Sequence, residues 1–224
     1  MSLRLEPSVA VRERRLTRLL GERGLLPDDA RLARIVEDAE LVGSLELAGL
    51  AVSWDDARAA TPPPQLRALR RARETVPREA RLTLAAVRAW HEALAGPVGF
   101  RRREAAGARP EFIEDRLASL AEWLDARGAE GLTPEQKSAV ALARIVEIRP
   151  FDEANGRVAR LAAAHVLRRA GLQAPILVGG DGARLQAALE AAHRLETGPL
   201  VELVREASGR ALDVMIQSLE RRLL

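Results

Sequence analysis

The chain has no cysteine, no tyrosine and one lysine, Lys137, among its 224 residues. Without cysteine it forms neither disulfide bonds nor thiolate metal sites, and it has no cysteine nucleophile. Apolar residues still make up 47% of the sequence, which is enough for a packed core. The length predicts one domain, or one domain with a helical extension.

Long runs of one residue class are also missing. No apolar stretch approaches the roughly 18 residues of a membrane span, and charged sequence follows Met1. The pI is about 10.6, yet the net charge is only +3, with arginines interspersed among acidic residues as on solvated helical faces. We therefore expect a soluble, cytoplasmic protein that binds neither a membrane nor nucleic acid.

Apolar residues recur at helical spacing along most of the chain. A capping box of Ser53 and Asp56 predicts a short helix from Trp54, the prolines at 62–64 break the chain, and Thr133-Pro134-Glu135-Gln136 is a strong start signal. The other predicted helices are 28–47, 77–94, 112–126, 155–171, 182–195 and 199–223.

Residues 98–110 have a different character, because they are polar and interrupted by glycine. Gly107 lies where a hairpin can turn, so this segment is predicted to be a short β-hairpin or an extended flap, and it is called the flap below. The predicted fold is all-α, a helical bundle with one short β-hairpin flap.

The most informative run is Arg149-Pro-Phe-Asp-Glu-Ala-Asn-Gly-Arg-Val-Ala-Arg160. Asn155 and Gly156 lie at a predicted helix N-terminus, where free N–H groups and the helix dipole attract anions. Arg157 and Arg160 are three residues apart and can hold adjacent phosphates. Glu153 is a candidate Mg²⁺ ligand. These five residues predict a cradle for a nucleotide diphosphate; the alternative is that both arginines pair with acidic neighbours.

The run resembles the signature loop of the Fic family, H-P-F-x-[DE]-G-N-G-R-x-x-R, and the resemblance extends over about residues 82–206. It implies a Fic-type bundle and a protein adenylyltransferase, which transfers AMP from ATP, bound with Mg, to a hydroxyl of a target protein. It also implies that the flap following Gly99-Phe100-Arg101 binds the target as an added strand. The flap residues concerned are Arg103, Glu104, Ala105 and Ala106.

Two positions of this signature loop depart from the family pattern. Arg149 stands where the family has its catalytic histidine, and a guanidinium cannot act as a base at any useful pH. A general base is worth about 10²–10⁴ in rate. Ala154 replaces a glycine, which would cost about 1–2 kcal/mol if its backbone is left-handed.

A third departure lies upstream. Ser44-Leu-Glu-Leu-Ala48-Gly49 resembles the family's inhibitory motif, [ST]-x-x-x-E-[GN], whose glutamate pairs with the second arginine of the loop. Ala48 stands in place of that glutamate, so the resemblance implies that autoinhibition is absent. Two alternatives are that Glu46 substitutes for it, or that the segment is only an amphipathic helix ending at Gly49.

The histidines do not replace the missing base. His91, His165 and His193 are widely spaced and form no H-x-x-x-H or H-E-x-x-H pattern, so we expect no zinc site. Each is interpreted as a packing or surface residue.

These observations predict three segments: an N-terminal helical region, 1–80, with the inhibitory-like segment at about 28–49; a Fic core, 81–207; and a C-terminal helix continuation, 208–224. The first hypothesis is a catalytically impaired Fic protein that still binds ATP or another phosphate ligand and a target protein. The alternatives are a transferase with an unconventional base and a non-catalytic interaction module.

Overall fold

The computed structural model describes residues 9–26, 29–126 and 129–221. Ten α-helices and short 3₁₀ turns account for the regular structure of these residues, and no strand occurs among them. The helices are α1 (Val9–Arg23), α2 (Ala30–Glu46), α3 (Trp54–Arg58), α4 (Pro64–Glu74), α5 (Leu84–Ala95), α6 (Ile113–Asp125), α7 (Pro134–Ile148), α8 (Asn155–Arg169), α9 (Gly182–His193) and α10 (Gly198–Glu220). The all-α prediction is confirmed.

Helices α7 and α8 form the centre of the fold. They pack against each other. Helix α8 also contacts α5 and α2, and helix α7 contacts α6, α9 and α10. The main core lies around this pair and contains the fully buried side chains of Trp90 and Phe151. A second apolar cluster joins α1 and the first half of α2 to the end of α10.

The predicted helix starts are confirmed where a side chain caps an N–H group three residues further along the chain. Ser53 Oγ accepts a hydrogen bond from the Asp56 N–H (3.1 Å), and Thr133 Oγ1 accepts one from the Gln136 N–H (3.3 Å). Both contacts are parts of complete capping boxes. Helix α8 ends at Arg169, two residues before Gly171, whose φ of 82° is left-handed.

Other bounds differ from the predictions. The helix expected from residue 77 begins at Leu84, because the Thr83 side chain caps the Ala86 N–H (3.1 Å) and fixes the start there. Helices α1 and α4 were not predicted from the sequence. The helix predicted over residues 28–47 corresponds to α2. Its expected first residue, Asp28, lies outside the described residues, and the structure places the N-cap of α2 at Asp29.

The β-hairpin prediction for the flap is wrong. Residues 98–109 contain no strand, and the backbone N–H groups of Arg101 and Ala108 donate to the carbonyl oxygens of Pro150 (2.9 Å) and Ile148 (3.1 Å). Both ends of the flap are thus fixed to the start of the signature loop, and these contacts replace the cross-strand ladder of a hairpin.

The described part of the chain contains no helix with the length and apolar character that crossing a membrane requires.

Candidate functional site

The signature loop closes on itself through one side chain. Asn155 Oδ1 accepts a hydrogen bond from the Phe151 N–H (3.0 Å), and Asn155 Nδ2 donates to the Phe151 carbonyl oxygen (2.7 Å). The Phe151 ring is buried beneath this closed turn. Because the Phe151 backbone occupies its carboxamide, Asn155 organises the loop, and its side chain is not free to bind a ligand.

The two substituted loop positions have left-handed backbones. Arg149 caps the end of α7 with φ 49° and ψ 63°, and Ala154 caps the start of α8 with φ 60° and ψ 5°. Both conformations favour glycine over residues that carry a Cβ atom. The Arg149 side chain is exposed, so its guanidinium faces solvent beside the loop.

The N-terminus of α8 has the features of an anion site. The first intrahelical hydrogen bond runs from the Val158 N–H to the Ala154 carbonyl oxygen (3.0 Å), which leaves the preceding N–H groups unpaired within the helix. An ideal Cβ atom at Gly156 would lie 3.2 Å from Arg160 Nη1, so that nitrogen lies directly beside the helix terminus. Arg157 is half-buried and has no partner among the described residues.

Arg160 is held by a serine where a carboxylate would be expected. Its Nε donates to Ser44 Oγ (2.9 Å) and its Nη2 to the Ser44 carbonyl oxygen (2.7 Å). Burial, with a smaller contribution from the charge of Arg157, lowers the pKa of Arg160 to about 10. No carboxylate among the described residues offsets this charge, so the site favours an anion.

The inhibitory-like segment supplies only that serine. Ala48 and Gly49 follow the end of α2 and are exposed. The Glu46 carboxylate accepts a hydrogen bond from the Gly179 N–H (2.9 Å). Glu46 is thus engaged with another loop and makes no hydrogen bond or ion pair with Arg160, whereas Ser44 does contact Arg160.

Arg101 joins the flap to the signature loop, a role that the sequence analysis missed. Its side chain is 3% exposed, and its guanidinium donates to the carbonyl oxygens of Arg149 (2.7 Å), Arg103 (2.8 Å) and Ala108. The predicted target-binding residues, Arg103, Glu104, Ala105 and Ala106, follow it and are exposed. One arginine in an arginine-rich chain gives no local signal that would single it out.

His91 lies beneath the loop. Its ring is buried and stacks on Phe151 with 3.7 Å between ring centroids and 8° between planes. Burial lowers the pKa of His91, which the charge of Glu153 partly opposes. His91 is therefore a packing residue, as predicted, and it does not present a base to solvent.

Glu153 is exposed and lies two residues before the N-terminus of α8. Within residues 9–26, 29–126 and 129–221, no cluster of three or more histidine and acidic side chains could hold a metal ion. A divalent ion held by Glu153 would therefore need further oxygen ligands from a phosphate and water.

Comparisons with known proteins find Fic proteins among the matches. Residues 81–167 match the Fic/DOC family. Similar proteins include the protein adenylyltransferase fic-1 of Caenorhabditis briggsae, 28% identical over half of this chain and 22% of the relative. Another is a uridine 5'-monophosphate transferase of Xanthomonas campestris, 34% identical over 41% of this chain and 18% of the relative. The chain thus spans about a fifth of the length of these curated relatives.

The fold is also similar to that of a Fic-domain-containing signalling protein from Bacteroides thetaiotaomicron. The TM-score is 0.76 with 17% identity, over 96% of this chain and 98% of the other.

Proposed function

We propose that this chain, whose residues 81–167 match the Fic/DOC family, binds a nucleoside triphosphate but transfers its nucleotide very slowly or not at all. Its similarity to an adenylyltransferase and to a uridine 5'-monophosphate transferase favours a nucleotide ligand without fixing the base.

The contact between Arg160 and Ser44 carries the binding half of the proposal. It holds a guanidinium with no offsetting carboxylate among the described residues, and Nη1 lies beside the N-terminus of α8. Arg157 adds a second cation without a partner there. Helix N–H groups and two arginines together suit the oxygens of a diphosphate. Arg160 Nη1 makes no hydrogen bond to Ser44, so it is the nitrogen that is available to phosphate.

Magnesium fits this arrangement through one protein carboxylate. Glu153 would hold the ion, and the remaining ligands would be phosphate oxygens and water, as is usual for Mg²⁺. A bound Mg²⁺ neutralises phosphate charge. Arg157 and Arg160 would position the phosphates.

Arg149 carries the other half of the proposal. In the family pattern the residue at this position takes the proton from the acceptor hydroxyl, and Arg149 has no lone pair available for that task. His91 does not substitute, because it is buried under Phe151. Transfer by general-base catalysis is therefore impaired by about 10²–10⁴.

The flap is proposed to bind the target protein. Its exposed residues 103–106 lie beside the start of the signature loop, because Arg101 fixes the flap to the carbonyl oxygen of Arg149. A polypeptide lying along the flap would present its hydroxyl next to the cradle.

The test is calorimetric titration with ATP and Mg²⁺, and separately with UTP and Mg²⁺. The parent is compared with Arg157→Gln and Arg160→Gln and with Arg144→Gln as the control, since Arg144 is exposed and pairs with Glu147 on α7. Each cradle variant should weaken binding by about tenfold to hundredfold, because it removes charge-assisted hydrogen bonds.

Arg144→Gln should bind as the parent does. No binding by the parent at millimolar nucleotide, or equal binding by the parent and both cradle variants, would overturn the cradle. Thermal unfolding of each variant separates a lost ligand contact from a lost fold.

A further inference from the structure

A second cavity lies away from the cradle. Its volume is about 670 Å³, within the range of small-molecule sites, and it is bounded by α2, the end of α4, the end of α8 and α10. Part of its wall is apolar and comes from four elements or loops: Val36, Val76, Leu172, Ala174 and Met215. Such a wall suits the aliphatic or aromatic part of a small-molecule ligand.

The polar wall of the cavity is mainly cationic. It contains three arginines, Arg73, Arg78 and Arg168, and one carboxylate, Glu74. Arg73 is already engaged, because its Nη1 lies 2.7 Å from a Glu37 carboxylate oxygen. The other two arginines lack comparable partners.

Arg168 is the least satisfied of these cations. Its side chain is 12% exposed, yet its ion-pair contact with Glu40 is long, 3.9 Å between Nη1 and the carboxylate oxygen. Nη1 is buried and has no hydrogen-bond partner in the described part of the chain. A nearly buried guanidinium whose side chain makes no hydrogen bond is costly, and an oxyanion in the cavity that meets the exposed part of this group would offset that cost.

Arg78 adds an accessible charge at the mouth of the cavity. Its Nε donates to the Arg168 backbone carbonyl oxygen (2.7 Å), and both arginines line the cavity. Arg78 pairs with no carboxylate among the described residues. Its remaining N–H groups are available to a ligand.

The cavity is distinct from the nucleotide cradle. Arg160 and Arg168 both belong to α8 but are eight residues apart, about 12 Å along the axis. The N-terminus of α8 forms the cradle, whereas the cavity lies at its C-terminal end.

We propose that this cavity binds a small amphipathic oxyanion, an organic carboxylate or phosphate monoester whose head group meets Arg78 and Arg168 and whose apolar body lies along Val36 and Met215. The apolar wall provides affinity through burial, and the two guanidinium groups provide selectivity for the charged head.

The experiment titrates the whole chain with octanoate and with octyl phosphate. Octanol serves as the uncharged control and inorganic phosphate as the control without a tail. Binding is followed by calorimetry on the parent, Arg78→Gln and Arg168→Gln. Arg169→Gln is the matched protein control, because Arg169 follows Arg168 but pairs with Asp125 at 2.6 Å.

Octanoate, octyl phosphate or both should bind, and Arg78→Gln and Arg168→Gln should each weaken that binding by about tenfold or more. Arg169→Gln and Arg160→Gln should not change it. If Arg168→Gln fails to fold, Arg78→Gln decides the matter, because Arg78 is exposed. Three results would overturn the proposal: binding of neither anion, equal binding of octanol, and loss of binding in Arg160→Gln, which would place the anion in the cradle.

Discussion

The Nε atom of Arg101 donates a 2.7 Å hydrogen bond to the carbonyl oxygen of Arg149. The same guanidinium donates to the carbonyl oxygens of Arg103 and Ala108 within the flap. One buried cation therefore holds the flap and the signature loop in a fixed relation, although no strand pairing links them.

Replacing Arg101 with methionine should release the flap. Several carbonyl oxygens would lose their charge-assisted donor, so the free energy of unfolding should fall by about 2–4 kcal/mol. Amide hydrogen exchange of residues 102–108 should accelerate. The control is Arg102→Met, an exposed neighbour, which should leave both measurements near the parent values. Unchanged exchange in Arg101→Met would show that the flap is held by other contacts.

Arg149→His should create or greatly increase nucleotide transfer. Histidine supplies the base that arginine cannot, which predicts a gain of about 10²–10⁴ in rate. The measurement is transfer of label from α-labelled ATP or UTP to proteins of a cell extract and to the chain itself. Arg149→Ala is the control, since it removes the guanidinium without adding a base. If the parent already transfers label as fast as Arg149→His, the domain works with an unconventional base.

Ala154→Gly should stabilise the protein. Ala154 has φ 60°, a left-handed conformation that costs a residue with a Cβ atom about 1–2 kcal/mol. Glycine adopts it freely, so the free energy of unfolding in urea should rise by about 1 kcal/mol after the entropy of glycine is subtracted. Ala106→Gly, in the flap and without a positive φ, should not stabilise the chain. A loss of stability in Ala154→Gly would contradict the assigned backbone conformation.

Protonation of His91 should contribute to acid destabilisation. Burial lowers its pKa below the ordinary value of 6.5, and the charge of Glu153 opposes the shift while that of Arg157 adds to it. The unfolded chain therefore binds a proton at a higher pH than the folded chain does. Below about pH 6.5 the unfolded state gains protons first, so stability falls as the pH falls.

The measurement for His91 is the change in the free energy of unfolding between pH 7.5 and pH 5, an interval that brackets the ordinary histidine pKa of 6.5. His91→Leu should show a smaller loss across this interval than the parent. His193→Leu, at an exposed histidine, should lose as much as the parent. Comparing the change in unfolding free energy with pH, rather than its value at one pH, removes any constant difference in packing. The same change in all three proteins would refute the role of His91.

Helix starts were predictable where one side chain caps a nearby N–H group. Thr133 and Ser53 act over three residues, and their capping boxes are present in the structure. Helix α4 gave no such signal, because its N-cap, Pro63, makes no side-chain hydrogen bond. Its helical conformation depends instead on packing against α5 and α2, in which Leu66 and Leu69 are fully buried.

The candidate site divides in the same way. Arg157 and Arg160 could be assigned to the start of a helix from the run of residues that precedes them, and in the structure α8 begins at Asn155. The partner of Arg160 lies 116 residues away at Ser44, and the flap is fixed by contacts across 48 residues between Arg101 and Arg149. The hairpin prediction for the flap used local sequence only. It was wrong because the carbonyl oxygens that the flap binds lie at residues 148–150, far along the chain.

The ring that Asn155 closes on the Phe151 backbone has an evolutionary consequence. The shape of the loop depends on a carboxamide and two peptide groups, none of which belongs to Arg149. The side chain at position 149 can change while the loop keeps its conformation. One substitution at this position can therefore exchange the side chain in a lineage while the ring that shapes the loop is retained.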